Sequence, residues 1–311
     1  MILLVNSGGE KAVEDWRAMF APVAPDLDIR WIDDPAVAKA DVRYVFCWAP
    51  KAGFLASLPN LRLICSSGAG VDHITGDATW PRHVGIVRMG GEEPAQRMGE
   101  YVCLGALSML RQMPRIIQGQ RVPTWDHFDS PRTAQETKVG IMGLGNLGIR
   151  AAEMLRGLGF PVAGWSRSRK HVPGVTCFEE AELDAFLAGT DLLVNLLPDT
   201  PETRGAIRAE TIGKLRPGAS IVNAGRGPQL VVADMIAALD SGHLSGAMLD
   251  VFEVEPLPVD DPLWRHPKVI VSPHIASLAS RPARARYVAE AIAAFERGER
   301  PPNLYDPDRG Y

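Results

Sequence analysis

Apolar positions along the chain come in short, β-branched runs, separated by stretches in which they recur every three to four residues. A run of the first kind between turn residues predicts a buried strand, and the second pattern predicts an amphipathic helix. Runs near residues 2–5, 27–32, 42–48, 61–66 and 84–89 form a first series, with a helical pattern over 10–21 between its first two members. A second series opens at Lys138, with runs near 139–142, 162–166, 192–196, 220–223, 247–251 and 269–271. Strands alternating with helices give parallel sheets, so the expected fold class is α/β with two separate sheets. Between the series lie a helical pattern over 94–111 and a polar loop through Pro123, Trp125, Asp126, Pro131 and Thr133. The chain ends with a helical pattern over 281–297 and a Pro-containing tail over 301–311. If that last helix packs on the first sheet, one domain is discontinuous, built from 1–94 and 281–311, and the other spans 95–280.

Composition supports two domains and narrows the partners. A chain of 311 residues suffices for two cores without disulfide or metal staples. The formal charge of −4 lacks the basic excess of a nucleic-acid binder. The N-terminus has no basic leader, and the apolar stretch over 101–110 is interrupted by Gly105 and Ser108. Neither a signal peptide nor a membrane span is expected, and the expected location is the cytoplasm. Cys47, Cys65, Cys103 and Cys177 show no C-x-x-C spacing, and the first three sit in apolar segments, as packing residues do.

The second series begins with chemistry. Residues Lys138-Val139-Gly140-Ile141-Met142 lead into Gly143-Leu144-Gly145-Asn146-Leu147-Gly148, a strand followed by G-x-G-x-x-G and a helical pattern over 147–158. In a dinucleotide site the first glycine permits a tight turn, the second lets the backbone approach the pyrophosphate, and the third lets helix and strand pack closely. The phosphates then meet the helix N-terminus. The next strand should end in Asp or Glu to bind the ribose 2′-hydroxyl of NAD. It ends instead in Ser166-Arg167-Ser168-Arg169-Lys170. Two hydroxyls and Arg167 suit a 2′-phosphate, so NADP(H) is expected over NAD(H).

Three later strand ends carry polar residues ill suited to packing: Arg226 between Gly225 and Gly227, Glu255 after Asp250, and His274 after Ser272-Pro273. Ligands of an open α/β sheet bind at the carboxyl ends of its strands, where these three side chains would converge. Reduction of a 2-oxo acid needs a cation for the carboxylate and carbonyl, a hydride, and an acid for the forming alkoxide. Arg226 suits the first and His274 the last. A carboxylate at Glu255 would orient the ring and favour its charged form. The other six histidines show no metal-ligand spacing, and hydride transfer needs no metal. Trp48, at the end of a first-series strand, either walls a pocket for a short substrate or packs at a domain edge. Trp125 is a weaker candidate for the same wall. Pro228 and Gln229 stand after Arg226-Gly227 where less constrained residues are expected.

These residues resemble the D-isomer-specific 2-hydroxyacid dehydrogenases. The resemblance rests on the glycine fingerprint, Asn223-Ala224-Gly225-Arg226-Gly227, Leu249-Asp250-Val251-Phe252 with Glu255-Pro256-Leu257-Pro258, and Ser272-Pro273-His274, in this order. It reaches upstream to Gly68-Ala69-Gly70-Val71-Asp72 and covers nearly the whole chain. Trp165 to Lys170, Gly246 to Asp250 and the terminal Arg309-Gly310-Tyr311 bring it closest to the bacterial members that reduce glyoxylate and hydroxypyruvate with NADPH. The resemblance implies two Rossmann-like domains, a doubly wound NADP-binding domain and a smaller flavodoxin-like substrate domain, closing over a cleft. It implies Arg226, Glu255 and His274 as active-site residues. Amides of Ala69 and Gly70 would hold the substrate carboxylate, and Asp250 would meet the nicotinamide carboxamide. Gly143 to Gly148, Ser166, Arg167, Ser168, Leu197, Pro198, Ala224, Gly225 and Arg226 would line the cofactor, and the helix from Pro94 would build a homodimer. Two other readings stay open: an NAD-linked member of the phosphoglycerate or formate type, and a redox-sensing binding protein of the corepressor kind.

Overall fold

In the computed structural model the described residues are 1–130 and 132–307. Pro131 and the terminal motif Arg309-Gly310-Tyr311 lie outside the described residues. The chain divides into two compact units, one made of Met1–Glu93 with the chain from Ala279 on, the other of Pro94–Leu278.

The first unit holds strands β1 (Ile2–Val5), β2 (Asp28–Trp31), β3 (Val42–Cys47), β4 (Leu63–Ser66) and β5 (Gly85–Val87). They pair in parallel in the order β2-β1-β3-β4-β5, the flavodoxin-like order. Val42, Tyr44, Val45, Phe46 and Cys47 are all buried, because both sheet faces are covered and the strand has no solvent side. One face packs Trp16 and Phe20 of the helix Val13–Phe20 with Ala285, Val288 and Ile292 of the helix Arg281–Glu296. The last helix therefore belongs to the first sheet. Beyond it, Leu304 bridges Val87 antiparallel and the Tyr305 amide donates to the Ile86 carbonyl at 2.8 Å. This tail covers the β5 edge, which would otherwise be open to pairing.

The second unit holds β6 (Val139–Met142), β7 (Val162–Trp165), β8 (Thr176–Phe178), β9 (Leu192–Asn195), β10 (Ala219–Asn223), β11 (Leu244–Leu249) and β12 (Val269–Val271). All pairs are parallel, in the order β8-β7-β6-β9-β10-β11-β12. This is the doubly wound Rossmann order with one further strand, and its direction reverses between β6 and β9. Met98, Tyr101, Val102, Ala106 and Met109 of the helix Glu92–Leu110 pack into the core of this unit against Val139, Ile141 and Val222. Beyond the named sequence expectations stand β8 and the helices Asp72–Thr75, Met113–Arg121, Leu183–Ala188, Ala209–Gly213 and Val232–Asp240. Each is short or has too few apolar residues on one side for its period to stand out.

Candidate active site

Every cofactor and catalytic candidate in the second unit lies at the carboxyl edge of its sheet, beyond β6, β7, β9, β10, β11 or β12. The fingerprint follows β6 at the switch point. Gly143 has φ 102°, and a β-carbon there would stand 2.6 Å from the Leu196 carbonyl oxygen; one on Gly148 would stand 2.0 Å from the Gly143 carbonyl oxygen. Gly145 faces open space and caps the helix Asn146–Gly157, so its backbone can be approached from outside. Gly145 and Asn146 are exposed, whereas Leu147 is half-buried and the Leu144 side chain is buried in the core against Gly164. Leu144 thus offers a ligand its backbone only. This set fits a dinucleotide: two glycines close the turn and the third leaves room for the pyrophosphate.

The turn after β7 is less uniformly basic than its sequence. Ser166 is buried and its hydroxyl donates to the Ser168 carbonyl at 2.8 Å, closing the turn. Arg169 is committed to Glu179 at 3.1 Å and Glu182 at 2.7 Å, both just beyond β8. Arg167, Ser168 and Lys170 are exposed. Arg167 and Ser168 are of the chemistry that suits a ribose phosphate, with Ser166 shaping the turn.

Leu197 follows β9, buried, with Pro198 half-buried beside it. Ala224 and Gly225 follow β10 and are buried, and Arg226 is half-buried, with Nη1 donating to the Gly225 carbonyl at 2.9 Å. Asp250 follows β11 at 1% exposure. Its carboxylate accepts from the Ser272 hydroxyl at 2.6 Å, the Ile275 amide at 2.9 Å and the Ala276 amide at 2.8 Å. The Ser272 hydroxyl has one proton, so the Tyr101 hydroxyl, 2.8 Å away, donates to it. Asp250 is thus the anchor of the loop that carries His274, and its carbonyl accepts the His274 amide at 2.9 Å.

His274 itself has a left-handed backbone, φ 53°. Its Nδ1 lies 2.7 Å from Glu255 Oε2, and Glu255 Oε1 accepts the Phe252 amide at 2.9 Å. About a third of each side chain is exposed, 32% for His274 and 33% for Glu255. An ionised carboxylate only accepts, so Nδ1 carries a proton toward Glu255 and Nε2 lies on the opposite side of the ring.

In the first unit, Trp48 follows β3, and its backbone is clamped by one side chain. The Trp48 amide donates to Asn6 Oδ1 at 2.7 Å and Asn6 Nδ2 donates to the Trp48 carbonyl at 2.8 Å. The indole stacks on His73 with ring centroids 3.8 Å apart and lies over Gly68, where a β-carbon would come within 2.6 Å of it. The Ser66 hydroxyl lies 2.9 Å from the carbonyls of both Gly68 and Gly70 and 3.2 Å from His73 Nε2. The Gly68 carbonyl also accepts the Met89 amide at 2.9 Å. In a trans peptide the N–H opposes the C=O, so an inward Gly68 carbonyl turns the Ala69 amide outward. Asn6, Ser66 and His73, which hold Trp48 and this loop, were given no site role by the sequence, nor were Asn195 and Tyr101, while Asn223, Gln229 and Ser272 stood out only as neighbours of the candidates. A signal existed for two of them: Val194-Asn195 and Val222-Asn223 each end a fully buried strand in an amide side chain.

Among the described residues no group of His, Cys, Asp or Glu stands where it could hold a metal ion, and no helix is long and apolar enough to cross a membrane.

Residues 104–276 match the D-isomer specific 2-hydroxyacid dehydrogenase NAD binding domain, and the chain belongs to that family. The glyoxylate/hydroxypyruvate reductase A of Serratia proteamaculans is 37% identical over 304 residues, covering 96% of each chain. Its counterpart from Salmonella paratyphi B is 41% identical, over 86% of this chain and 87% of that one. Among solved structures, a D-isomer specific 2-hydroxyacid dehydrogenase from Xanthobacter autotrophicus in complex with NADPH and MES superposes with a TM-score of 0.93 at 41% identity, covering 100% of this chain and 99% of that one. The NADPH-dependent glyoxylate/hydroxypyruvate reductase of Sinorhizobium meliloti, in complex with NADP and sulfate, superposes with a TM-score of 0.91 at 37% identity, with the same coverage.

Proposed function

We propose that this protein reduces short 2-oxo acids, glyoxylate to glycolate and hydroxypyruvate to glycerate, with NADPH as the reductant. The observation that carries the reading is the His274–Glu255 pair at 2.7 Å, on the same sheet edge as a glycine fingerprint whose following strand ends in hydroxyls and cations. Reductases of this name are 37% and 41% identical to the chain.

When bound, the nicotinamide supplies a hydride to the carbonyl carbon. Arg226 holds the substrate carboxylate and polarises the carbonyl. His274, acting as the doubly protonated imidazolium, gives its Nε2 proton to the forming alkoxide oxygen, while Glu255 accepts from Nδ1–H and holds the ring's orientation throughout. Asp250 holds the His274 loop, with one acceptor position of its carboxylate still available to a carboxamide. Arg167 and Ser168 bind the 2′-phosphate, and Trp48 limits the length of the substrate. The test is direct: NADPH is mixed with protein and either glyoxylate or hydroxypyruvate, and nicotinamide absorbance is followed. Loss of absorbance is expected, and inertness toward both acids overturns the reading.

The second unit also exposes Leu104, Leu107, Ile116, Val122 and Trp125, the last at 97%. A group of exposed apolar residues this large suits a partner, and self-association through one patch makes a closed two-fold dimer. Sedimentation should give twice the chain mass, and Leu104→Asp with Trp125→Asp should give monomers. The four cysteines are free thiols, which suits the reducing cytoplasm.

A further inference from the structure

We infer that Gln229 is a positioning residue that couples Arg226 to the cofactor-facing segment Leu197–Pro198, so that substrate and nucleotide sites are set by one buried amide. The inference rests on the role given to Arg226 above.

Gln229 is fully buried, at 0% exposure. Its Oε1 accepts from the Arg226 amide at 2.9 Å and from Asn195 Nδ2 at 2.6 Å. Its Nε2 donates to the Pro198 carbonyl at 2.7 Å and the Leu197 carbonyl at 3.0 Å. A glutamine amide can accept twice and donate twice, and here every place is taken. The orientation is forced, because the opposite flip would set an NH₂ against two donors and an oxygen against two carbonyls. Sheet register supplies the rest: Asn195 stands directly opposite Asn223 in the β9–β10 pair and donates to Asn223 Oδ1 at 2.9 Å. Asn195 Oδ1 accepts the Leu197 amide at 3.2 Å, and Asn223 Nδ2 reaches the Arg226 carbonyl at 3.4 Å. Arg226 thus has its amide fixed by Gln229 and its carbonyl by Asn223, and both reach the β9 end through Asn195.

Buried polar groups in a closed set admit one arrangement, because any displacement strands a donor or acceptor without water. A shift of Leu197–Pro198 is therefore a shift of Arg226, and the reverse. Pro228 stiffens the same turn from its outer side, with its carbonyl accepting the Gly205 amide at 2.9 Å. The residues that look over-constrained in the sequence are the ones that fix the turn.

Gln229→Met keeps the volume and removes every hydrogen bond of the amide. In that variant kcat/KM for glyoxylate should fall, and the Kd for NADPH, read by binding fluorescence without turnover, should rise, each by about ten- to a hundredfold, the scale of a small misplacement of a binding group. Gln229→Asn, which shortens the reach by one methylene, should move both quantities in the same direction and serves if the first variant does not fold. Placed in an Arg226→Lys background, either substitution should lower kcat/KM by much less than in wild type, since it acts through Arg226. A folded variant with both quantities within twofold of wild type overturns the inference. So does a loss that simply multiplies with that of Arg226→Lys, and so does a loss of thermal stability alone. If wild-type protein binds NADPH but reduces neither acid, the proposed function has failed, and the Kd shift still decides whether Gln229 sets the nucleotide segment.

Discussion

His274 Nδ1 and Glu255 Oε2 stand 2.7 Å apart, and the second oxygen of the same carboxylate is pinned by the Phe252 amide at 2.9 Å. A carboxylate gripped at both oxygens cannot rotate, so the ring it orients has one presented nitrogen, Nε2. His274→Gln keeps a polar side chain of similar reach without a proton to deliver near neutral pH. It should lower kcat by about 10²- to 10⁴-fold and leave the Kd for NADPH unchanged. Steady-state kinetics and a binding titration on the same preparation check this; kcat within a few-fold of wild type removes His274 from the role of acid.

The support of that loop is testable apart from its chemistry. Tyr101 donates to Ser272 at 2.8 Å, and Ser272 donates to Asp250 at 2.6 Å. Burial pushes the Tyr101 hydroxyl well above its ordinary range, so it stays protonated as a donor at any working pH. Ser272→Ala takes one of three donors from a buried carboxylate and should lower stability by about 1.5–3 kcal/mol, the range for hydrogen bonds to charged groups. It should also lower kcat several-fold through the His274 loop. Tyr101→Phe, one bond further out, should have a smaller effect in the same order. Denaturant unfolding and kcat are the measurements, and a larger effect for Tyr101→Phe contradicts the direction of the chain.

Much of this was legible beforehand, and the reasons differ by residue. Gly143, Gly145 and Gly148 are readable because spacing alone encodes a strand, a turn and a helix start. Arg226, Glu255 and His274 are readable because each follows an apolar run where simple packing would not place it. Gln229 stands out in the sequence as a constrained neighbour of Arg226, but its hydrogen-bonding role is not readable, because its partners lie at the ends of β9 and β10 and meet only through the register of Asn195 on Asn223. The Arg169 pairing failed to show for a similar reason: β8 is a three-residue edge strand, too short for a period, and it is what brings Glu179 and Glu182 near. A run of basic residues does not say which of its charges is already neutralised.

The same turn gives the cofactor prediction. Arg167→Ala should weaken NADPH by about ten- to a hundredfold, the worth of a charge-assisted phosphate contact, and leave NADH nearly unchanged. Arg169→Ala removes a side chain already held by Glu179 and Glu182, so its effect on NADPH should be smaller. Binding titrations with both nucleotides on both variants check this. An equal loss for NADPH and NADH in Arg167→Ala removes the phosphate contact.

The cysteines yield a prediction on pH. Burial raises the Cys65 thiol to about 12 and pushes Cys47 higher still. The thiolate is the reactive form and is present only as pH approaches the thiol's own pKa. At pH near 8 both thiols should therefore resist alkylation in the folded protein and react when it is unfolded. Peptide mass spectrometry after iodoacetamide treatment reads each site, and labelling of Cys65 in native protein contradicts the burial.

The role proposed for Trp48, a wall that narrows the substrate range, is testable by substitution. Its backbone is clamped at both ends by Asn6 and its ring lies between Gly68 and His73, so it cannot swing aside for a larger ligand without breaking contacts in one loop system. Trp48 is 38% exposed, unlike Trp16, which is fully buried in the same unit and packs in its core. A partly exposed indole held this firmly acts as a fixed wall. Trp48→Ala should raise kcat/KM for a 2-oxo acid with a longer side chain relative to glyoxylate by about tenfold or more, since each extra methylene admitted to an apolar pocket changes discrimination by about 1–3 kcal/mol. His73→Ala, which removes the stacking partner but not the wall, should shift the same ratio less. A substrate series of increasing chain length measured on the three proteins decides it: an unchanged ratio in Trp48→Ala makes this residue a packing group at the end of β3 and nothing more.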